Sequence, residues 1–267
     1  MDFNTYVINL DSQKKRYEVQ KKKLNEVGIY PIRISGYMFE EIDKSELEKH
    51  FSYLSPYLTP RGTIGCSYSH VKALKHFLEN DSNEVALILE DDAYPLFNDI
   101  SYLRSKLYKI DWDYLSLHCD GVCPKDGGVP YFLSGSTAAY FITRKGAEKI
   151  INFKHYFHYD VQTTTMKNLN KKIDIKNSFW TDENAKMSGE MSNIRKNRYC
   201  NKIYDVLTKK IVNRGEKTVC HYKDYNIFRI PVLSYQVSLE DIVLSLICIL
   251  ICCTTFIGVK YVKGRKK

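Results

Sequence analysis

Apolar positions along this chain switch between the spacing of strands and that of helices. From Asn4 to Leu10, the run Tyr6, Val7 and Ile8 suits a strand. Asp11 and Ser12 then offer helix caps, and a charged helix follows to about Val27, where Gly28 ends it. Tyr30 to Ile34 reads as a second strand, so the chain opens as strand, helix, strand, the order of a parallel α/β unit. Gly62 and Gly65 are expected to break the chain before a helix from Cys66 to Glu79, in which Val71, Leu74, Phe77 and Leu78 recur at helical spacing. Val85 to Leu89 is continuously apolar, too short for a typical helix and flanked by polar residues, which predicts a central strand buried on both faces. Asp113 to Leu117 and Ala138 to Thr143 read as further strands, with a helix from Arg144 to Phe153. Between about Lys167 and Arg229 the pattern blurs, and irregular loops with short helices are expected. The fold class is α/β with a central, mostly parallel sheet, in one domain over residues 1–235.

The C-terminal end differs. No charged residue occurs from Ile242 to Val259, a run that spans roughly 27 Å as a helix, close to the hydrocarbon thickness of a bilayer. This predicts one transmembrane helix over 242–259 and a basic tail over 260–267, hence a single-pass membrane protein with a C-terminal anchor. A buried core helix is the alternative, but nothing follows that would cover it. Met1 to Tyr6 show no basic stretch leading into a cleavable apolar core, so no secretory signal is expected and the catalytic domain is assigned to the cytosolic side. The basic tail argues the other way, since positive flanks favour the cytosol.

With 44% hydrophobic and 27% charged residues, the 267-residue chain has the composition of a globular protein. Its 40 Lys and Arg against 31 Asp and Glu give a formal charge of +9. Much of the excess lies in the first helix and the tail, and no nucleic-acid-binding motif accompanies it, so no nucleic-acid partner is expected. Outside the apolar run the cysteines are Cys66, Cys119, Cys123, Cys200 and Cys220, an odd set without a zinc pattern, which favours a reducing compartment.

The chemistry concentrates at Glu90-Asp91-Asp92, which closes the buried strand. Adjacent carboxylates repel one another and need solvation or a cation. If extended geometry persists, Glu90 and Asp92 share one face and Asp91 takes the other. The same-face pair suits a divalent metal with oxygen ligands, Mn2+ or Mg2+ rather than zinc. The site would lie where α/β folds bind ligands, beyond the carboxyl ends of strands. An acidic strand-to-loop transition or an Asx turn is the plainer alternative.

The acidic triplet belongs to Ala86-Leu87-Ile88-Leu89-Glu90-Asp91-Asp92-Ala93. It is preceded by Gly65-Cys66-Ser67-Tyr68-Ser69-His70-Val71-Lys72-Ala73-Leu74 and, earlier, by Val7-Ile8-Asn9-Leu10-Asp11 with Arg16. Asp111-Trp112-Asp113-Tyr114-Leu115, Gly135-Ser136-Thr137-Ala138-Ala139-Tyr140, Arg144-Lys145-Gly146-Ala147, Asp160 and Ser192-Asn193-Ile194 come after it in order. Together these blocks resemble glycosyltransferase family 25, which includes lipopolysaccharide and collagen galactosyltransferases. The resemblance implies a GT-A-like nucleotide-sugar-binding fold and a nucleotide-sugar donor, often UDP-galactose. It further implies transfer of the hexose, with inversion, to a hydroxyl of a glycan, lipid or protein acceptor.

On that basis Glu90 and Asp92 are the expected metal ligands, and Asn9, Leu10, Arg16, Ser69, His70, Asp91, Gly135 and Ser136 are expected around the donor. Arg suits a diphosphate through its fork of donors; a solvated role for Arg16 stays open. Ser69 and His70 are placed in the first helical turns, where backbone donors favour anions; His70 as a buried structural residue stays open. Asp160 is the candidate base, with a helix N-cap as the equal alternative. A glycoside hydrolase gains nothing from adjacent carboxylates, because its acid and base flank the scissile bond. A catalytically silent, membrane-anchored sugar-nucleotide or glycan-binding protein of the same fold is the alternative from another class.

Overall fold

The computed structural model describes residues 2–53, 55, 61–119, 136–156, 159–174, 176–182, 187–188, 203–205, 210–212, 230–232 and 235–237. The apolar run 242–259, the basic tail, Gly135 and Ser192-Asn193-Ile194 lie outside them. Among the described residues no helix is long and apolar enough to cross a membrane.

The strand β1 (Asn4–Leu10) leads through a 3-10 turn at Asp11–Gln13 into the helix α1 (Lys14–Glu26) and then β2 (Ile32–Gly36). Gly28 terminates this helix at φ 82°, a left-handed position that favours glycine, while the Ile29 N–H returns to the Leu24 carbonyl at 2.9 Å. Next come α2 (Lys44–His50), α3 (Arg61–Asn80) and β3 (Val85–Glu90). Among the described residues, β4 (Ala93–Pro95), α4 (Ser101–Lys106), β5 (Tyr114–Ser116), β6 (Ala139–Thr143), α5 (Arg144–Ile151), α6 (Tyr159–Thr165), β7 (Lys171–Ile173) and β8 (Phe179–Thr181) follow. Farther on, Ile203–Asp205 pairs with Lys210–Val212, and Ile230–Val232 with Tyr235–Val237, in two short antiparallel ladders.

One six-stranded sheet runs β2-β1-β3-β6-β5-β7. Pairing is parallel except at β6, which is antiparallel to both neighbours, so the expected mostly parallel sheet is present. β3 is buried on both faces, as its unbroken apolar run predicts, and its residues alternate between two cores. Val85, Leu87 and Leu89 join Tyr17 and Leu24 of α1, whereas Ala86 and Ile88 join Leu74 and Phe77 of α3. Each such Leu or Ile contributes about 1.5–3 kcal/mol by burial. This parity sets the next two directions, because the residue after Leu89 must face α3 and its successor must face α1.

Several elements depart from the sequence reading. β2 begins at Ile32 rather than Tyr30. The described span of α3, Arg61–Asn80, contains Gly62 and Gly65, which therefore lie in the helix rather than breaking the chain. Gly65 is there for close approach: a Cβ on it would stand 2.5 Å from the Tyr37 carbonyl oxygen. Ser69 and His70 are therefore mid-helix, where backbone N–H groups are already used in the helical ladder, and they cannot offer the anion-favouring donors of a first turn. Part of the stretch expected to be irregular forms β7 and β8, with β8 antiparallel to β4. Cys119 is disulfide-bonded, unlike the unpaired thiols expected, whereas Cys66 is free.

At the edge of the α3 core, His50 and His155 are almost fully buried. Burial pushes both imidazoles down to about 4 from 6.5; the Lys75 charge adds to this at His50 and the His50 charge adds to it at His155. Their folded values lie below the unfolded one, so the unfolded chain binds protons that the native state refuses between pH 6.5 and 4. Stability from these residues is therefore present above pH 6.5 and lost as pH falls toward 4. Urea unfolding midpoints are expected to drop across this window, and His155→Phe is expected to make the drop shallower; identical pH slopes in the two proteins would contradict the assignment.

Candidate active site

The carboxyl ends of β1 and β3 lie side by side, with Ile8 paired to Glu90, and the chain turns immediately afterward at Asp91 and Asp92. The parity of β3 decides the directions. Glu90 faces α3, where His70 Nε2 is 3.4 Å from its Oε1 and the Thr137 hydroxyl donates to the same oxygen at 3.1 Å. Asp91 faces α1, where Arg16 Nη2 stands 2.6 Å from Oδ1 and Asn9 Nδ2 donates to Oδ2 at 2.7 Å.

Asp92 departs from the same-face expectation. Because β3 ends at Glu90, the turn carries Asp92 back to Arg16, whose Nη2 is 3.1 Å from its Oδ2. Arg16 thus holds two adjacent carboxylates while itself 4% exposed. Its other terminal nitrogen, Nη1, donates to Gln13 Oε1 at 3.4 Å. Gln20, one helical turn further along α1, donates from Nε2 to the carbonyls of both Glu90 and Ala93 at 2.6 Å, so it staples the two ends of the turn. From the far side, the Asp182 N–H donates to the Asp92 carbonyl at 2.8 Å.

The electrostatics follow from burial. Burial raises Asp91 above the ordinary carboxylate range; Arg16 and Asn9 pull against this, and the neighbouring Asp92 and Glu90 charges add to it. Glu90 goes the other way. Burial opposes its ionisation, but the hydrogen bonds from His70 and Thr137 and the Arg16 charge outweigh it and leave the carboxyl below its usual value. Burial also pushes the Cys66 thiol well up, aided by the Glu90, Asp160, Asp92 and Asp91 charges.

A cleft, partly open to solvent, lies over these groups and is lined by Asn9, Leu10, Gln13, Arg16, Tyr37, Cys66, Ser69, Glu90 and Asp91, among others. Six of the residues expected around donor or metal thus share one cleft. Ser69 also has a scaffolding task, since its hydroxyl accepts from the Tyr37 N–H at 2.8 Å and donates to the Gly65 carbonyl at 2.7 Å. Ser136 is buried, its hydroxyl accepting from the Ala138 N–H at 3.4 Å. Asp160 is the second residue of α6, and its Oδ1 accepts from the Thr137 hydroxyl at 3.2 Å. Thr137 therefore bridges Glu90 and the candidate base.

Sequence reasoning did not single out Gln20, Tyr140, Tyr159 or Cys66 as site residues, whereas it placed Thr137 with Gly135 and Ser136 in a polar turn open to sugar or acceptor. The signal for two of them was helical spacing: Gln20 follows Arg16 by four positions, and Cys66 precedes His70 by four. The donor set suits a divalent cation, since the acidic turn supplies carboxylate oxygens and Cys66, His70 and Glu90 bring their ligand atoms within 4.8 Å of one another.

The Arg16 clamp yields a direct expectation. Arg16→Met leaves Asp91 and Asp92 adjacent, buried and without their cation, and is expected to cost about 3–5 kcal/mol of stability. Urea denaturation checks this, and a loss under about 1 kcal/mol, the scale of an exposed pair, would show that the clamp is solvated.

Comparison with known proteins gives one family match. Residues 2–114, less than half of the chain, match the model for glycosyltransferase family 25, described as an LPS biosynthesis protein. No curated protein matches the chain. Among solved structures, A197 from STIV is similar at 14% identity and a TM-score of 0.42, over 82% of this chain and 97% of that one. A glycosyltransferase involved in glycosylation of the major capsid of PBCV-1 is similar at 15% identity and a TM-score of 0.33, over 56% of this chain and 63% of that one. A Drosophila beta-1,4-galactosyltransferase 7 mutant in complex with manganese, UDP-Gal and xylobiose is similar at 8% identity and a TM-score of 0.38, over 73% of this chain and 78% of that one. The matched residues 2–114 contain Asn9, Arg16, His70 and the whole acidic turn, and the family match supports glycosyltransferase activity.

Proposed function

We propose that this chain transfers a hexose, galactose from UDP-galactose, to a hydroxyl of a glycan, lipid or protein acceptor, with inversion at the anomeric carbon. The observation that carries this reading is the clamped acidic turn at the floor of a cleft beyond the carboxyl ends of β1 and β3. The donor diphosphate lies in that cleft, beside Asn9 and Leu10. A divalent ion, Mn2+ or Mg2+, would neutralise charge on the departing UDP; Glu90 and Asp92 are the carboxylates that would hold it, from the α3 and the α1 side of the turn respectively.

The chain's own groups divide the remaining work. Arg16, Asn9 and Gln20 hold the acidic turn in place, so that its carboxylates need no reorganisation as charge develops. Asp160 takes the proton of the acceptor hydroxyl as that oxygen bonds to the anomeric carbon. The bond from that carbon to the diphosphate oxygen breaks in the same displacement, and its electron pair leaves with UDP. Thr137 orients Asp160 toward the cleft side on which Glu90 lies.

Asp160→Asn keeps the size of the base but removes its basicity, so transfer is expected to fall by about 10² to 10⁴ while donor binding is nearly unchanged. Asp92→Asn is expected to weaken manganese-dependent donor binding as well. UDP release from a panel of UDP-sugars, read beside calorimetric UDP titrations with and without manganese, makes the comparison. Transfer by Asp160→Asn at the unmodified rate removes that residue as base, and UDP binding without any release from the unmodified chain favours the silent binding protein.

We further propose that the 242–259 run anchors the chain in a membrane, with the catalytic domain on the cytosolic side; its uncharged composition and basic flank support this. Truncation after Tyr235 is expected to give a soluble chain that retains UDP release. Loss of folding on truncation, seen by circular dichroism, would place the run in the core instead.

A further inference from the structure

Cys66 and His70 are separated by one helical turn of α3, which puts both on the face turned toward the end of β3. There they meet Glu90. A sulfur, an imidazole nitrogen and a carboxylate oxygen from these residues all lie within 4.8 Å of one another. In a tetrahedral zinc site the metal stands about 2.0–2.3 Å from such atoms, so a small inward movement of the side chains closes the shell.

His70 is oriented by groups behind it. Its Nδ1 is 3.0 Å from the Tyr140 hydroxyl, and its ring lies flat on Tyr159 with centroids 4.4 Å apart and planes 9° apart. The residue is fully buried. Without metal, Nε2 is the nitrogen that faces Glu90 as a hydrogen-bond partner; in the other tautomer, with Nδ1–H donating to the Tyr140 hydroxyl, the Nε2 lone pair is free to meet a metal beside Glu90 and the Cys66 sulfur. Such an arrangement of an outer hydrogen bond that fixes the imidazole and aims its other nitrogen is the usual support of a metal-ligating histidine.

We propose that Cys66, His70 and Glu90 form a binding site for a zinc-class divalent cation. One thiolate, one imidazole and one carboxylate select zinc, cobalt or ferrous iron over magnesium and manganese. On binding, the Cys66 thiol releases its proton to solvent and its sulfur bonds to the metal. Cys66 and Glu90 line the cleft, so the fourth position opens into it and takes water or an anionic oxygen such as that of a phosphate. The site shares Glu90 with the proposed transfer reaction but stands independently of it, since its ligand set holds whether or not sugar is transferred.

The test uses the full chain, stripped of metal with a chelator and titrated with cobalt in the absence of any nucleotide. The expected result is a saturable sulfur-to-cobalt charge-transfer band with intense tetrahedral visible bands, both displaced by zinc. Cys66→Ser is expected to abolish the charge-transfer band, and His70→Gln to weaken cobalt binding at least about tenfold, the lower end of losses on disturbing a metal shell. Asp92→Asn is expected to leave cobalt binding intact while losing manganese-dependent donor binding, which separates failure of this site from failure of the transfer reading. A cobalt complex without the sulfur band, or a band unchanged in Cys66→Ser, would overturn the proposal. X-ray absorption of the zinc-loaded unmodified chain is independent of how the variants fold: one sulfur at about 2.3 Å among nitrogen and oxygen neighbours is expected, and a shell with no sulfur would overturn it.

Discussion

A strand buried on both faces that ends in three consecutive carboxylates has to place negative charge next to two hydrophobic cores. The Arg16 guanidinium makes this possible by contacting Asp91 at 2.6 Å and Asp92 at 3.1 Å from within the first helix. Removing charge from water costs several kcal/mol per ion even after relaxation, so an unclamped turn would open into solvent or stay protonated. Asn9, Gln13 and Gln20 complete the clamp, and all three come from β1 or from the turn and helix after it. The first strand-helix unit is therefore bound to the site by charge as well as by packing.

The alternation of β3 divides the chemistry between two helices. On the α1 side, Asp91 and Asp92 are fixed by a permanent cation and neutral amides. On the α3 side, Glu90 meets His70, Thr137 and Cys66, groups that donate, accept or bind a metal according to what the cleft contains. Gly65 makes this second side possible, since only a residue without a side chain lets α3 approach the Tyr37 carbonyl closely enough for Ser69 to bond the Tyr37 N–H. Through Thr137 the same carboxylate reaches Asp160 on α6, so one hydroxyl links the strand end to the candidate base.

Elements governed by local pattern were legible in the sequence. β3 lies where its continuous apolar run placed it, β1 and β6 lie where strand-forming residues were read, and Gly28 ends α1 at a positive φ, as a helix-stopping glycine does. What escaped depended on tertiary contacts. Gly62 and Gly65 read as breaks because composition does not reveal that a carbonyl from another segment needs the space above a helical glycine. Asp92 read as facing with Glu90 because strand parity was carried two residues past the end of the ladder, into a turn. β7 and β8 were hidden in polar sequence because three-residue strands carry too few positions to show a period. Asn9, Arg16, His70 and Asp91 were recognisable as a set from their blocks, whereas Gln20 gained its place, and Thr137 its link from Glu90 to Asp160, only when distant segments met.

If the clamped acidic turn forms the floor of a nucleotide-diphosphate site, a diffraction structure of the chain crystallised with UDP is the most direct test. The diphosphate is expected in the cleft between Leu10 and Asp91, with Arg16 still bonded to both Asp91 and Asp92. A nucleotide bound elsewhere, or Arg16 released from the carboxylates to meet the phosphates, would contradict this account.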